Sequence, residues 1–363
     1  MLILFFRSRI LRAAVMLTVT LAVVFGTVYG HLMSHLEELS FTSLSEPRQV
    51  LSVSAKAQNT YPADVETMTF SFVGDCMLAS MLGQMTFNSF NLFASQTPPD
   101  YFFSQVQSVF ASDDYTVANC ENVFTDRTLY AARKNYTPAY WYRSPSSYAG
   151  IFTAGSVEVA SIANNHILDY GEEGRKDTIA ALEAAGMLWG DTNNVIYLEK
   201  AGVTVALLCT TVTSGGYTMI WDKLEEAKAA SDFQIIYFHG GIERSYAVNK
   251  DIQKTCFKLV QAGADLILGH HPHVLQPIDS YYGVKIVYSL GNFLFGGGTG
   301  EDETMIYRLE MVISGGEIIE VRDYPIPALC YTKENKWQPA LVTDAERYNK
   351  IIEFLYMVRE TPY

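Results

Sequence analysis

Leu266-Ile-Leu-Gly-His-His-Pro-His-Val-Leu-Gln276 is an apolar run that stops at Gly269 and then presents three of the chain's seven histidines within four positions. The apolar half predicts a buried strand, and the polar half predicts the loop at its C-terminal end, where open α/β sheets place their ligands. His271 and His273 stand two apart with Pro272 between them. On an extended segment both imidazoles therefore point to one side, an arrangement suited to a metal ion. His270 has the opposite parity, which predicts a supporting or packing role. A histidine-rich surface loop would carry the same short pattern, so the rest of the chain has to decide.

Four more segments end in the same manner. Met68-Thr-Phe-Ser-Phe-Val-Gly-Asp75 alternates apolar and polar residues and delivers Asp75, and Tyr115-Thr-Val-Ala-Asn-Cys-Glu121 delivers Glu121. Val157 to His166 ends in Asn164, Asn165 and His166, and Phe233-Gln-Ile-Ile-Tyr-Phe-His239 ends in a histidine followed by Gly-Gly-Ile-Glu243. One strand with a polar end is uninformative, because loops are polar. Five such ends on parallel units predict one shared site built from Asp75, Glu121, Asn165, His166, His239, His271 and His273. Two carboxylates, an amide oxygen and three imidazoles suffice for two divalent ions sharing a bridging carboxylate. Ligation by N and O without thiolate suits Mn, Fe or Zn.

Between these strands the pattern predicts helices over Pro98–Phe110, from Ser144-Pro145, over Gly171–Gly186 and over Asp222–Ala230. Another is predicted over Asn249–Gly263, where Ile252, Cys256, Leu259 and Val260 fall at helical spacing and Gly263 supplies the stop. A hairpin turns at Ala201-Gly202, Val284–Leu290 is a strand ending in Gly291-Asn292, and Met305–Ile313 pairs with Glu317–Val321. A helix over about Thr343–Val358 closes the chain. Repeated βα units giving way to strand pairs predict an α/β sheet sandwich flanked by helices.

The 363 residues are 49% apolar and 18% charged, a globular composition that allows one large domain or two smaller ones. A formal net charge of -13 argues against nucleic acid as a partner, because phosphates need a basic footprint. Ala13 to Gly30, AAVMLTVTLAVVFGTVYG, is 18 residues without a charge, preceded by Arg7, Arg9 and Arg12 and followed by Glu37 and Glu38. At about 1.5 Å per residue it spans about 27 Å, close to a hydrocarbon core of roughly 30 Å. It therefore predicts a single-pass anchor over residues 13–30, with residues 1–12 cytoplasmic and the globular part outside the cell membrane. A cleaved signal peptide and a buried helix are the competing readings, although Val28-Tyr-Gly30 is a poor cleavage site. Residues 31–66 predict an extracytoplasmic stalk, 67–330 the main domain and 331–363 a C-terminal extension with a helix. Cys76, Cys120, Cys209, Cys256 and Cys330 are odd in number and widely spaced, and predict neither a disulfide framework nor a zinc knuckle.

The chain resembles the bacterial CapA capsule-synthesis proteins, called PgsA in poly-γ-glutamate producers. The matching motifs are Val73-Gly-Asp-Cys-Met77, Asn119-Cys-Glu121, Ala163-Asn-Asn-His-Ile-Leu-Asp-Tyr-Gly171, His239-Gly-Gly-Ile-Glu243, Gly269-His-His-Pro-His-Val-Leu-Gln276 and Ser289-Leu-Gly-Asn-Phe293. They cover about 70–295 in the family's order. The resemblance implies a four-layer αββα sandwich of the calcineurin-like metallophosphatase type, on a membrane-anchored protein needed for polyglutamate synthesis or export.

Carried over by position, the resemblance implies that Asp75 and His273 hold one ion and that Asn165, His239 and His271 hold the other. Glu121 then bridges, and His166 is the general acid. Asp169 and Glu243 are implied to orient imidazoles, and Asn292, which follows Gly291, reads as a turn residue beside the site rather than a ligand. Metallophosphatases usually begin with Asp-x-His. Here Asp75-Cys-Met77 lacks that histidine, so the first position has one ligand fewer. Glu121 stands where an aspartate is usual, and Gly240 where a tryptophan is usual.

Arg127, Arg133, Lys134 and Arg143 lie between Glu121 and His166 with only Asp126 opposing them. They predict a loop over the metals that receives a polycarboxylate or phosphate, with Tyr140, Trp141 and Tyr142 as a wall. A surface loop whose aromatics pack beneath it is the alternative. Three functions fit these residues: a capsule or polyglutamate biosynthesis factor acting on the polymer or a phosphorylated species, a surface metallophosphoesterase of another pathway, and a scaffold among membrane synthase subunits.

Overall fold

The computed structural model describes residues 64–83, 89–212, 218–297, 302–331 and 336–357. The proposed anchor over 13–30 and the stalk up to residue 63 lie outside these residues. Among the described residues no helix is long and apolar enough to cross a membrane.

Two mixed sheets organise the chain. The first has eight strands and is centred on Val65–Met77, which runs parallel to Tyr115–Cys120 and antiparallel to Glu303–Ser314. Val159–Ser161 and Leu188–Gly190 continue it in parallel on one side. Glu317–Leu329 and Ala340–Leu341 continue it antiparallel on the other, and Asn292–Phe295 pairs with the far end of the central strand. The second sheet has six strands, in which Phe233–Gly240 lies between Val203–Val212 and Leu266–His270, all three parallel.

Side-chain alternation assigns the faces. Met68, Phe70 and Phe72 of the first sheet meet Ile235, Tyr237, Leu266 and Leu268 of the second in one core, each of these at most 2% exposed. Val73, Cys76, Ala118, Cys120 and Ala160 face away into a second core with Phe102, Phe103, Phe152 and Leu182. Ile236, Phe238 and Ile267 face away from the other sheet into a third, against Leu224, Cys256 and Leu259. The order is therefore helices, sheet, sheet, helices. Each fully buried Phe or Leu contributes about 2 kcal/mol, and both faces of both central strands are used.

Several sequence expectations hold at residue level. Gly171–Ala184 is a helix, and Ile196–Lys200 and Val203–Val212 form the hairpin at Ala201-Gly202. The helix Lys250–Ala262 is capped by the Asn249 side chain, which accepts from the N–H groups of Asp251 and Ile252, and it ends at Gly263 with φ 110°. The expected helix over Pro98–Phe110 is instead a 3-10 turn at Pro99–Tyr101 and a short helix at Gln107–Phe110. Phe102, Phe103 and Val106 are all fully buried there. The third strand covers only Val159–Ser161. The C-terminal helix, Ala345–Leu355, sends Ile351 and Leu355 into the core between the sheets.

One irregularity sets up the site. The first strand does not stop at Asp75 but continues to Met77, with register shifts between Phe72 and Asp75 and between Asp75 and Cys76. Strand side chains alternate faces, so an inserted bulge residue reverses the parity of everything after it. Phe72 and Asp75 are three apart, yet both face the second sheet. Gly74 permits the bulge: a Cβ there would lie 1.8 Å from the Gly291 carbonyl oxygen.

Candidate metal centre

The carboxyl ends of the parallel strands from both sheets meet in one buried place. Asp75 and Asn119 are register partners across the first sheet, and His239 and His270 are register partners across the second. Asp75, Asn119, Glu121, His239 and His270 all have no solvent exposure. Asp75 Oδ1 lies 3.2 Å from His270 Nδ1 and 3.7 Å from His239 Nδ1, and its Oδ2 lies 3.1 Å from His273 Nδ1. His239 Nε2 is 2.7 Å from Asn165 Oδ1 and 3.6 Å from Glu121 Oε1. The rings of His239 and His271 are 4.5 Å apart, and those of His271 and His273 are 5.9 Å apart. All six residues proposed as ligands from sequence are thus in one neighbourhood.

The histidine run reaches the site by a different backbone path from the extended one expected. His271 has φ 101° and His273 has φ 59°, both left-handed, so the chain curls around Pro272. Left-handed conformations of non-glycine residues are costly and concentrate at functional sites. Asp75 holds the curl through Oδ2, which accepts from the His271 N–H at 3.0 Å, and Pro272 O accepts from the Arg244 N–H at 2.7 Å. His270, expected to support or pack, has the same parity as His239 along its strand and points between the sheets at Asp75. Asn292, expected in a turn, lies in the strand Asn292–Phe295, and its Oδ1 is 2.8 Å from His273 Nδ1.

Burial alone would raise Asp75, but hydrogen bonds and charge from His270 and His273 hold it well below the usual carboxylate range. Glu121 goes the other way: burial, then the negative charge of Asp75, pushes it well above. Burial drives His239 and His270 down, and burial together with His273 brings His271 to about 4. His273 is raised, because the Asp75 carboxylate and the charge of Glu243 outweigh its burial. Glu243 is itself exposed, and among the described residues it makes no hydrogen bond to an imidazole.

His166 stands at the edge of this group. Its Nδ1 is 2.8 Å from Asp169 Oδ2, and the same oxygen accepts from the Tyr142 N–H at 2.8 Å. Asp169 Oδ1 is paired with Lys134 Nζ at 2.5 Å. The Tyr142 ring meets His166 edge-on with centroids 4.9 Å apart. Much of the basic loop is therefore committed internally. Lys134 serves Asp169, Arg127 pairs with Asp177 and Glu173 at 2.7 and 3.0 Å, and Arg143 lies 5.0 Å over the Tyr170 ring. Arg133 is exposed and has no ion pair among the described residues. Tyr130 and Tyr136 are 95% and 56% exposed on the same loop, whereas Tyr142 is buried.

The donor set fits divalent cations. Neither oxygen of Glu121 has a hydrogen-bond partner, nor does His270 Nε2 or His271 Nδ1, although all four atoms are buried. A buried carboxylate without a partner costs several kcal/mol, and a cation at this position would remove that cost. Two groups of three have donor atoms within 4.8 Å of one another: Asp75 with His239 and His270, and Glu121 with His271 and His273. Cys76 and Cys120 lie on the far face of the sheet, so no thiolate competes.

The strand-end pattern did not single out Asn119. Asn119 Nδ2 donates to Asp75 Oδ1 at 2.8 Å, and Asn119 Oδ1 accepts from Asn164 Nδ2 at 3.0 Å. Its position two before Glu121 on one strand was the available signal, since both then face the same side.

The model of the bacterial capsule synthesis protein family, PGA_cap, matches residues 69–297. Over 262 residues the chain is 32% identical to the PGA biosynthesis protein CapA of Bacillus subtilis, covering 65% of each chain. Over 287 residues it is 30% identical to the capsule biosynthesis protein CapA of Bacillus anthracis, covering 70% of this chain and 67% of that one. The chain thus spans about two thirds of the length of these curated relatives. Among solved structures, a hypothetical protein from Thermus thermophilus aligns at TM-score 0.43 and 14% identity, over 72% of this chain and 99% of that one.

Proposed function

Because the chain belongs to the bacterial capsule synthesis protein family, PGA_cap, we propose that it is a membrane-anchored, extracytoplasmic component of capsule or poly-γ-glutamate biosynthesis with a two-ion site. In this reading the site acts on the polymer or on a phosphorylated species, and the layered sheets form a metallophosphatase-type sandwich. One observation carries it: a fully buried Glu121 with two unpartnered oxygens stands among Asp75, His239, His270, His271 and His273.

Asp75 and His273 would hold one ion, Asn165, His239 and His271 the other, and Glu121 would lie between. When bound, such ions polarise a phosphoryl or carbonyl group and make water easier to ionise. The remaining chemistry belongs to the chain. Asp169 fixes His166 through Nδ1, which leaves Nε2 as the atom able to hand a proton to a leaving group. Lys134 neutralises Asp169 from the other side and keeps it from moving. Tyr142 lies against the His166 ring and restricts the approach of water. The exposed Arg133, Tyr130 and Tyr136 would offer charge and flat surface to a polycarboxylate.

The test is the metal content of the full chain purified without chelator. At least one divalent ion per chain is expected, falling several-fold in His239→Ala. A wild-type chain that retains and rebinds no divalent ion overturns the two-ion reading and leaves a scaffold among synthase subunits. If metal binds, release of phosphate or of polymer ends by wild type but not by His166→Ala identifies the reaction.

A further inference from the structure

We propose that two copies of this chain pair through the free edge of the strand Glu317–Leu329, antiparallel and in the one register that places the two-fold axis on Val321. The inference concerns the antiparallel margin of the first sheet and is independent of the metal reading above.

On one side this strand pairs with Glu303–Ser314 over its length, whereas on the other only Ala328 and Leu329 have strand partners among the described residues. Pro327 O accepts from the Val342 N–H at 3.0 Å across that outer side. From Glu320 to Pro327 the odd-numbered residues therefore turn their backbone groups outward, and the even-numbered ones bond to Glu303–Ser314. Pro325 and Pro327 stand where an outward N–H would be and blunt the edge there. Val321 and Asp323 keep outward N–H and C=O groups, with no backbone partner among the described residues. Ile319, Val321 and Tyr324 are 46%, 40% and 40% exposed beside them. Free donors, free acceptors and exposed apolar side chains make such an edge a template for another strand.

Charge decides whose strand fits. Outward residues must face outward residues, so a second copy can lie antiparallel with the axis on Glu320, Val321, Arg322 or Asp323. An axis on Glu320 sets two carboxylates face to face, and one on Arg322 sets two guanidinium groups face to face. An axis on Asp323 puts Pro325 opposite Val321 and loses a hydrogen bond at each end. Only the axis on Val321 sets Glu320 of each copy opposite Arg322 of the other. Within one chain Arg322 Nε already donates to Glu320 Oε1 at 2.6 Å. Pairing therefore closes an alternating ring of four charges on one face of the joined sheet and brings the two Val321 side chains together on the other. Such an interface is isologous, and because it uses up both edges it stops at a dimer.

Sedimentation equilibrium of the full chain at low salt, in a density-matched detergent that accommodates the uncharged residues 13–30, reads the dissociation constant. A dimer is expected for the wild type. Glu320→Arg sets arginine opposite arginine twice and is expected to weaken it at least about tenfold. Glu320→Arg/Arg322→Glu exchanges the signs and is expected to restore the wild-type constant to within about threefold. Val321→Pro removes the outward N–H groups at the axis, leaves the bonds to Glu303–Ser314 in place, and is also expected to weaken the dimer at least about tenfold. Circular dichroism checks that each variant is folded. A monomeric wild type overturns the proposal. So does a dimer indifferent to both Glu320→Arg and Val321→Pro, which would place self-association elsewhere in the chain, and so does a double exchange that fails to restore what Glu320→Arg removes.

Discussion

Replacing Glu121 by Gln keeps the shape of the side chain and removes its charge, which separates what the buried carboxyl does to folding from what it does to a cation. Without metal, burial and the adjacent Asp75 keep Glu121 protonated well above the usual range. A carboxyl raised in the folded chain lowers stability by about 1.4 kcal/mol for each pH unit between its free value of about 4.3 and its folded one. The folded state then holds a proton that the unfolded state has lost, so stability falls as pH rises from about 4.3. Gln escapes that loss. In EDTA at pH 7, Glu121→Gln is expected to be more stable than the wild type, an advantage that vanishes as pH falls toward about 4.3. In saturating Zn2+ the order reverses, because an ion at 100 times its Kd stabilises the wild type by about 2.7 kcal/mol and the variant by less. Urea unfolding followed by tryptophan fluorescence at both pH values, with EDTA or Zn2+, reads all four numbers. A variant less stable than wild type in EDTA at pH 7 would refute the claim that this carboxylate lacks a partner.

The other expectations follow from the same contacts. Gly74→Ala forces a methyl group into the Gly291 carbonyl and opposes the Asp75 N–H to Gly291 O hydrogen bond at 3.0 Å, so stability should fall by about 3 kcal/mol and bound metal with it; wild-type behaviour would show that the bulge does not orient Asp75. Arg308 pairs with Asp113 at 3.2 Å and donates to Ser71 Oγ at 3.1 Å in a buried setting, so Arg308→Met should cost about 3 kcal/mol by urea unfolding, with at least half recovered in Asp113→Asn/Arg308→Met. No recovery in the double variant would mean that the lost packing, not the stranded charge, was responsible. His271 stays neutral when folded down to about 4, so between about 6.5 and 4 the unfolded chain takes up a proton that the folded chain does not, and stability falls as pH falls. His271→Ala should remove on the order of 3 kcal/mol of that loss in EDTA, a slope opposite to that of Glu121; an unchanged acid limb would count against it. Arg133→Ser should weaken polyglutamate binding at low salt and lose its effect above about 0.5 M salt, while equal binding at low salt would remove the loop from recognition.

The sequence alone determined which residues would gather. Period-two strands with polar ends, helices punctuated by caps and glycines, and a glycine–histidine loop are local patterns, and local sterics and solvation are enough to produce them. Asp75, Glu121, Asn165, His239, His271 and His273 were legible for that reason, as was Asn249 capping its helix. Which way each side chain faces was decided by tertiary structure. The bulge at Gly74 turns Asp75 toward the second sheet only because the Gly291 carbonyl lies against it. His270 reaches Asp75 only because register with His239 sets both rings beside a carboxylate from the other sheet. Lys134 serves Asp169, and Arg127 pairs with Asp177, because elements remote in sequence bring opposite charges within reach. Periodicity fixes what a strand can present, whereas a single inserted residue and the neighbour across the core fix to whom it is presented.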